Sequence, residues 1–206
     1  MFKPNIQMTH NDFLDMAMRF AYIAELSEWD NRSHLARMRR YMFLLGMKLD
    51  LPMELVGSIS IASLLHDVGK VKTPLELLLR QGEFSAQEWR IIERHTIDGA
   101  EILADGNHSI LQIAENIAFS HHERWDGSGY PQHTKGKQIP IEGRMCAVVD
   151  VFDALTTNRS YKKGISIEAG FSLMAEASGQ LFDPDIVQAF LDSIDEITKI
   201  YQSISP

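Results

Sequence analysis

Apolar residues recur at three- and four-residue steps along most of the chain, which predicts helices rather than strands. Between about residues 11 and 49 the pattern predicts two helices, separated at Asp30-Asn31-Arg32-Ser33. Met53–His66 is apolar almost all round, as is typical of a buried central helix. Further helices are predicted at about residues 85–95, 96–104, 110–122, 141–157, 165–177 and 184–200. The predicted fold class is all-α.

Length and composition narrow the class of protein. The 206 residues fit one domain covering residues 1–206, with a helical lead-in over residues 1–30. A net charge of -8 argues against binding long nucleic acid. No apolar run approaches the roughly 20 residues that would span a membrane. The single cysteine, Cys146, precludes an intrachain disulfide and suits a reducing cytoplasm.

Two adjacent histidines, His121 and His122, precede the glycine-rich stretch Gly127–Pro131. Successive residues of a helix point about 100° apart, so neighbouring imidazoles are poorly placed to chelate one ion. They can instead serve two ions that lie side by side. The pair therefore predicts a binuclear metal centre.

Other polar residues occupy positions where burial is expected. His66-Asp67 ends a strongly apolar helix, and Asp150 lies inside the apolar run of residues 147–155. One buried histidine is more often a hydrogen-bonded core residue than a ligand. Several such residues at the ends and centres of core helices favour a shared partner, because an unpaired buried carboxylate is costly. Imidazoles and carboxylates without thiolates indicate transition metals.

These motifs resemble those of a known family. His66-Asp67-Val68-Gly69-Lys70 resembles the HD motif with its following Gly-Lys, and residues 121–131 resemble the complete signature of the HD-GYP family. The similar motifs begin at His34-Leu35-Ala36-Arg37 and end at Arg159-Ser160-Tyr161-Lys162. The resemblance is strongest over residues 30–190, and the ordered series makes it specific.

The resemblance implies a phosphodiesterase of the bacterial second messenger cyclic di-GMP. It also implies an all-helical HD core with additional helices and a C-terminal helical extension. The implied metal ligands are His34, His66, Asp67, His95, His121, His122 and Asp150. Asp67 would bridge two divalent transition metals, with iron favoured and manganese next, and a metal-bridging hydroxide would attack phosphorus.

The same resemblance assigns residues to catalysis and to the substrate. Asp67 and Lys70 are the expected catalytic residues, and Lys70, Asp153, Arg159 and Lys162 the expected contacts to the nucleotide. A solvated lysine, a helix cap or a surface ion pair is the competing interpretation for the nucleotide contacts. Arg37, one turn after His34, is expected to anchor a carboxylate behind the ligands.

Asp30 departs from the family pattern. Members that bind three metals carry a glutamate four residues before the first histidine, where this chain has Asp30. Asp30 is either a shorter ligand to a third metal or the cap of the second helix, and the sequence leaves both open. A third metal would assist hydrolysis to GMP, whereas the two-metal product would be the linear dinucleotide pGpG.

The Gly127–Pro131 stretch has three interpretations. It is an entrance lip for substrate, a docking surface for a diguanylate cyclase or a sensor or receiver protein, or a structural loop packed by Trp125 and Tyr130. Two alternatives to a cyclic di-GMP phosphodiesterase are a catalytically weak cyclic-dinucleotide receptor and an HD phosphohydrolase of another nucleotide. The complete set of ligand-capable residues favours the cyclic di-GMP phosphodiesterase.

Overall fold

The computed structural model describes residues 9–25, 30–158 and 163–204. These residues form eleven α-helices, and no strand occurs among them, so the predicted all-α class is confirmed. The first six helices are α1 (His10–Ala24), α2 (Asn31–Lys48), α3 (Met53–Ala62), α4 (Leu75–Leu79), α5 (Ala86–Glu93) and α6 (His95–Leu103). The predicted break at Asp30-Asn31-Arg32-Ser33 lies too late in the sequence, because α1 ends at Ala24 and Asn31, Arg32 and Ser33 already belong to α2. α5 opens with the capping box of Ser85 and Glu88.

The second half adds five helices: α7 (Ser109–Ser120), α8 (Ile141–Thr156), α9 (Ile167–Glu176), α10 (Pro184–Leu191) and α11 (Ile194–Ser203). The prediction of one helix over residues 184–200 is wrong, because the chain turns at Asp192-Ser193. At this turn the Ser193 amide donates to the carbonyl of Phe190 at 3.1 Å, and the Ser193 hydroxyl donates to the carbonyl of Ala189 at 2.8 Å. α10 begins as expected, with the Asp183 carboxylate accepting from the Asp185 amide at 2.9 Å.

The helices pack around α3 and α7. α7 contacts α3, α6 and α8, while α2 crosses α3 and α8 and also meets α10 and α11. One hydrophobic cluster runs through these contacts and includes Leu35, Ile59, Ile117, Val148 and Phe190. The ends of α3, α6 and α7 and the middle of α8 therefore converge on one region. In the described part of the chain, none of the helices is both long and apolar enough to cross a bilayer.

The central helix is shorter than predicted. α3 ends at Ala62 and continues as a 3-10 turn over Ser63–Leu65, which places His66 just beyond the helix. A second 3-10 turn, Val68–Lys72, follows Asp67. This tighter backbone presents His66 and Asp67 at a chain bend rather than along a helix face.

Candidate metal centre

The carboxylate of Asp67 lies between two groups of histidines. Its Oδ1 is 3.2 Å from Nε2 of His95 and 3.7 Å from Nε2 of His121, whereas its Oδ2 is 3.4 Å from Nε2 of His66. The two oxygens thus face different imidazoles. This arrangement suits a carboxylate that is shared by two cations.

Four of the imidazoles are held in the same way, with Nδ1 against an oxygen behind the ring. Nδ1 of His66 lies 2.9 Å from the Ser63 carbonyl, and Nδ1 of His95 lies 2.7 Å from the Ile92 carbonyl. His121 uses the Ile117 carbonyl at 3.0 Å. His34 uses the Asp153 carboxylate at 2.8 Å. These oxygens only accept, so Nδ1 carries a proton and Nε2 is the ring atom that points at the centre, where it could bind a cation.

The first group of candidate ligands comprises Asp67, His95, His121 and His122, whose nitrogen and oxygen atoms all lie within 4.8 Å of one another. Both His121 and His122 offer a nitrogen to this group, so the geometry favours one ion for the pair over the expectation that they serve different ions. α7 ends at Ser120, so the two histidines occupy the helix end and the following turn.

The second group lies on the other side of Asp67. Glu25, His34 and His66 also offer ligand atoms within 4.8 Å of one another. Oδ1 of Asp150, in the middle of α8, is 3.9 Å from Nε2 of both His34 and His66. All seven metal ligands predicted from the sequence are thus brought together, and Glu25 joins them.

The polar atoms of the centre fit bound cations. Nε2 of His66 and Oδ1 of Asp67 are buried and have no hydrogen-bond partner among the described residues. Burial alone would lower the pKa of His66, but the adjacent Asp67 carboxylate raises it to about 10. A cation at Nε2 would replace that proton. Burial and the neighbouring His121 hold the pKa of His122 well below its usual range, which keeps the ring neutral and able to coordinate.

Lys70 lies beside the centre, in the 3-10 turn after the His-Asp motif. Its Nζ is 2.6 Å from Oδ2 of Asp67, and its side chain lines a cavity with Asp67, His122 and Asp150. Burial would raise the pKa of Asp67, yet the Lys70 ammonium and His66 hold it well below the usual range. Asp67 is therefore a charged carboxylate even when buried.

Asp153 has partners that the sequence did not predict. Its side chain is only 1% exposed, and it accepts from Nδ1 of His34 at 2.8 Å and from Nε of Arg37 at 2.6 Å. These contacts place it behind a ligand, where it orients the His34 ring. The expectation that Arg37 anchors such a carboxylate is confirmed.

The remaining predicted residues take different positions. The Asp30 carboxylate lies 3.4 Å from Nη1 of Arg37 and makes no capping bond to α2, although it occupies the N-cap position. It lines the same cavity as Lys70. Arg159 and Lys162, predicted to contact the nucleotide, lie outside the described residues.

Sequence reasoning missed Glu25. The signal was available, because Ala17 and Ala21 are buried on one face of α1 and position 25 continues that face at the next four-residue step. A glutamate at an expected buried position, like His66 and Asp67, indicates a candidate metal ligand.

The Gly127–Pro131 stretch, the predicted entrance lip, lies beside His122, and a buried glutamate binds the backbone that follows it. The Glu123 carboxylate, 4% exposed, accepts from the Gln132 amide at 2.7 Å and the Thr134 amide at 3.1 Å. Tyr130 stacks on His122 with ring centroids 4.8 Å apart. Gly129 is needed because a Cβ there would lie 2.3 Å from the Arg124 amide nitrogen. The lip is thus built against the metal centre through His122.

Replacing Glu123 with glutamine should loosen this lip. The Glu123→Gln variant keeps one acceptor for two amides and loses charge-assisted bonds that contribute about 1.5–3 kcal/mol each. We expect a lower unfolding temperature and faster proteolysis between residues 127 and 135. Glu142→Gln is the control, since Glu142 bonds Asn116 at the surface. Equal proteolysis of the parent and Glu123→Gln would contradict the assigned role.

The chain is similar to known proteins over most of its length. A model of the HD domain matches residues 19–186. The chain belongs to the HD domain family. The resemblance to the HD-GYP branch is confirmed, because relatives that are named cyclic di-GMP phosphodiesterases match most of the chain. A cyclic di-GMP phosphodiesterase from Thermotoga maritima is 36% identical over 194 residues, which are 94% of this chain and 53% of the relative.

Two further comparisons bear on the HD protein. A 3'3'-cGAMP-specific phosphodiesterase 2 from Vibrio cholerae is 37% identical over 190 residues, covering 92% of this chain and 36% of the relative. A crystal structure of a cyclic GMP-AMP-specific phosphodiesterase from V. cholerae shares the fold, with a TM-score of 0.70 and 21% identity, over 94% of this chain and 51% of that one. The chain spans about half or less of the length of these relatives.

Proposed function

We propose that this HD protein is a metal-dependent phosphodiesterase that hydrolyses cyclic di-GMP. The observation that carries the proposal is the shared carboxylate of Asp67, with His95 and His121 at one oxygen and His66 at the other. Two divalent ions held by these groups would supply Lewis acidity and an activated water, the chemistry that phosphodiester cleavage needs. The names of the relatives support the same class of substrate.

The residues of the chain have distinct tasks in this proposal. Carbonyl and carboxylate oxygens behind the rings fix the Nε2 atoms of His34, His66, His95 and His121 toward the centre. Asp153 acts through His34 and is a positioning residue, and we retain it as a nucleotide contact only as a prediction. Arg159 and Lys162 likewise stay predicted nucleotide contacts.

Lys70 would stabilise the charge that builds on the phosphate. Its ammonium lines the cavity next to Asp67, so a phosphate placed at the centre would meet it. We expect Lys70→Met to lower kcat by about 10²–10³ while metal content stays near the parent's. Lys72→Met is the control, because Lys72 pairs with Glu101 at the surface. An unchanged kcat for Lys70→Met would contradict this role.

For the metal, the location, the product and the protein partner, we propose what the family resemblance in the sequence implies. We propose iron as the preferred metal and manganese as the next, and we place the protein in the cytoplasm. The expected product is pGpG, with GMP as the product if a third metal binds. The Gly127–Pro131 lip is our proposed contact for a diguanylate cyclase or a sensor or receiver protein.

The direct test incubates iron-loaded and manganese-loaded protein, prepared anaerobically, with cyclic di-GMP or with 3'3'-cGAMP. Products are resolved by chromatography beside a His66→Ala/Asp67→Ala control. Appearance of pGpG from cyclic di-GMP in the parent alone supports the proposal. Faster cleavage of 3'3'-cGAMP would support the HD phosphohydrolase of another nucleotide, which the V. cholerae relative's name favours. Tight binding without product would support the receptor.

A further inference from the structure

Glu25 is a buried carboxylate whose partner is missing from the described chain. It follows the last residue of α1, and its side chain is 1% exposed. Neither carboxylate oxygen has a hydrogen-bond partner among the described residues. Leaving such a group unpaired is costly, so its environment calls for a cation or a proton.

The surroundings of Glu25 indicate a cation. Its Oε2 is 4.0 Å from Nε2 of His34, a nitrogen whose ring is already fixed through Nδ1 by Asp153. Oxygen and nitrogen atoms of Glu25, His34 and His66 lie within 4.8 Å of one another. If the three side chains moved slightly toward one another, a single transition metal between them would lie at the usual distance of about 2.0–2.2 Å from each ligand atom.

Asp30 is the competing carboxylate, and it already has a cationic partner. Its Oδ2 lies 3.4 Å from Nη1 and 3.5 Å from Nη2 of Arg37. Arg37 in turn binds Asp153, the carboxylate behind His34. Moving Asp30 onto a metal would give up this ion pair, whereas Glu25 has no such bond to lose among the described residues.

We propose that Glu25, rather than Asp30, is a carboxylate ligand of the metal held by His34 and His66. Asp30 then belongs to the Arg37 network that supports His34. This assignment rests on the proposed metal centre. It names a ligand from outside the motifs that carry the family resemblance.

Manganese titration of the metal-free protein tests the assignment. Parent, Glu25→Gln and Asp30→Asn are stripped with a chelator and titrated with Mn²⁺, and free Mn²⁺ is followed by electron paramagnetic resonance. We expect Glu25→Gln to bind one Mn²⁺ per chain at least about tenfold more weakly than the parent, since even groups behind a ligand alter metal affinity by 10–100-fold. Asp30→Asn should titrate like the parent.

A second variant separates ligation from folding. Glu25→Met removes the unpaired buried carboxylate at similar length, so we expect metal-free Glu25→Met to unfold at a temperature no lower than the parent's while losing the same Mn²⁺. A lower unfolding temperature together with loss of all Mn²⁺ would mean a structural role and overturn the assignment.

Three other results would also overturn it: equal titrations of parent and Glu25→Gln, equal weakening in Glu25→Gln and Asp30→Asn, or weakening in Asp30→Asn alone. A parent that binds no Mn²⁺ is a separate outcome. It would overturn the proposed metal centre, and the Glu25 assignment with it.

Discussion

Asp67→Asn is expected to abolish phosphodiester hydrolysis and to weaken the binding of both metals. Asparagine keeps the shape of aspartate but has one acceptor oxygen and no charge, whereas Asp67 presents Oδ1 to His95 and Oδ2 to His66. No other described carboxylate lies between the two histidine groups. We expect kcat/KM to fall by more than about 100-fold, the upper range for losing a group behind a metal ligand.

The measurement combines steady-state kinetics with metal analysis of the purified variant. Asp98→Asn is the matched control, because Asp98 is a buried carboxylate that pairs with Arg94 and Lys72 away from the centre. It should retain the parent's metal content. Activity of Asp67→Asn within tenfold of the parent would contradict a shared carboxylate.

Gly69→Ala is expected to damage both folding and the metal centre. A Cβ at Gly69 would lie 1.9 Å from the carbonyl oxygen of His95 and 2.5 Å from the amide nitrogen of Gly99. Both contacts are to backbone, which cannot move aside as a side chain can. We expect the free energy of unfolding to fall by about 3 kcal/mol, the upper range for overpacking, with weaker metal binding because α6 and His95 are pushed away from Asp67.

Chemical denaturation measures the change, and Gly57→Ala provides the control. Among the described residues, a Cβ at Gly57 would meet only the His10 ring, at 4.0 Å. Alanine there should stabilise α3 by about 0.5–1 kcal/mol, the usual difference inside a helix. If both variants were equally stable, the close approach of Gly69 to α6 would not be a constraint on the fold.

The sequence predicted the helices and the motif residues because both signals are local. Capping residues mark the start of α5 and α10, and the His-Asp and twin-histidine motifs themselves contain four of the predicted ligands. The break at Ser193 was missed because an apolar period of 3.6 continues across it, while in the structure the Ser193 amide donates to the carbonyl of Phe190, three residues back, at 3.1 Å.

The positions of Glu25 and Asp153 beside His34 could not be predicted from the sequence, because they depend on contacts between helices that are far apart along the chain. Asp153 is 119 positions from His34 in sequence, yet its carboxylate holds the His34 ring. Glu25 directly follows α1, and it comes close to His34 and His66 only because α1 packs against α2 and the 3-10 turn Ser63–Leu65. Burial periodicity could have drawn attention to Glu25, but the identity of its partners required the fold.

Anomalous X-ray diffraction from crystals of the manganese-loaded protein would test the central claim most directly. We predict two manganese peaks flanking Asp67, one among His95, His121 and His122 and the other beside His34 and His66. A single peak, or peaks remote from Asp67, would contradict a centre organised by a shared carboxylate.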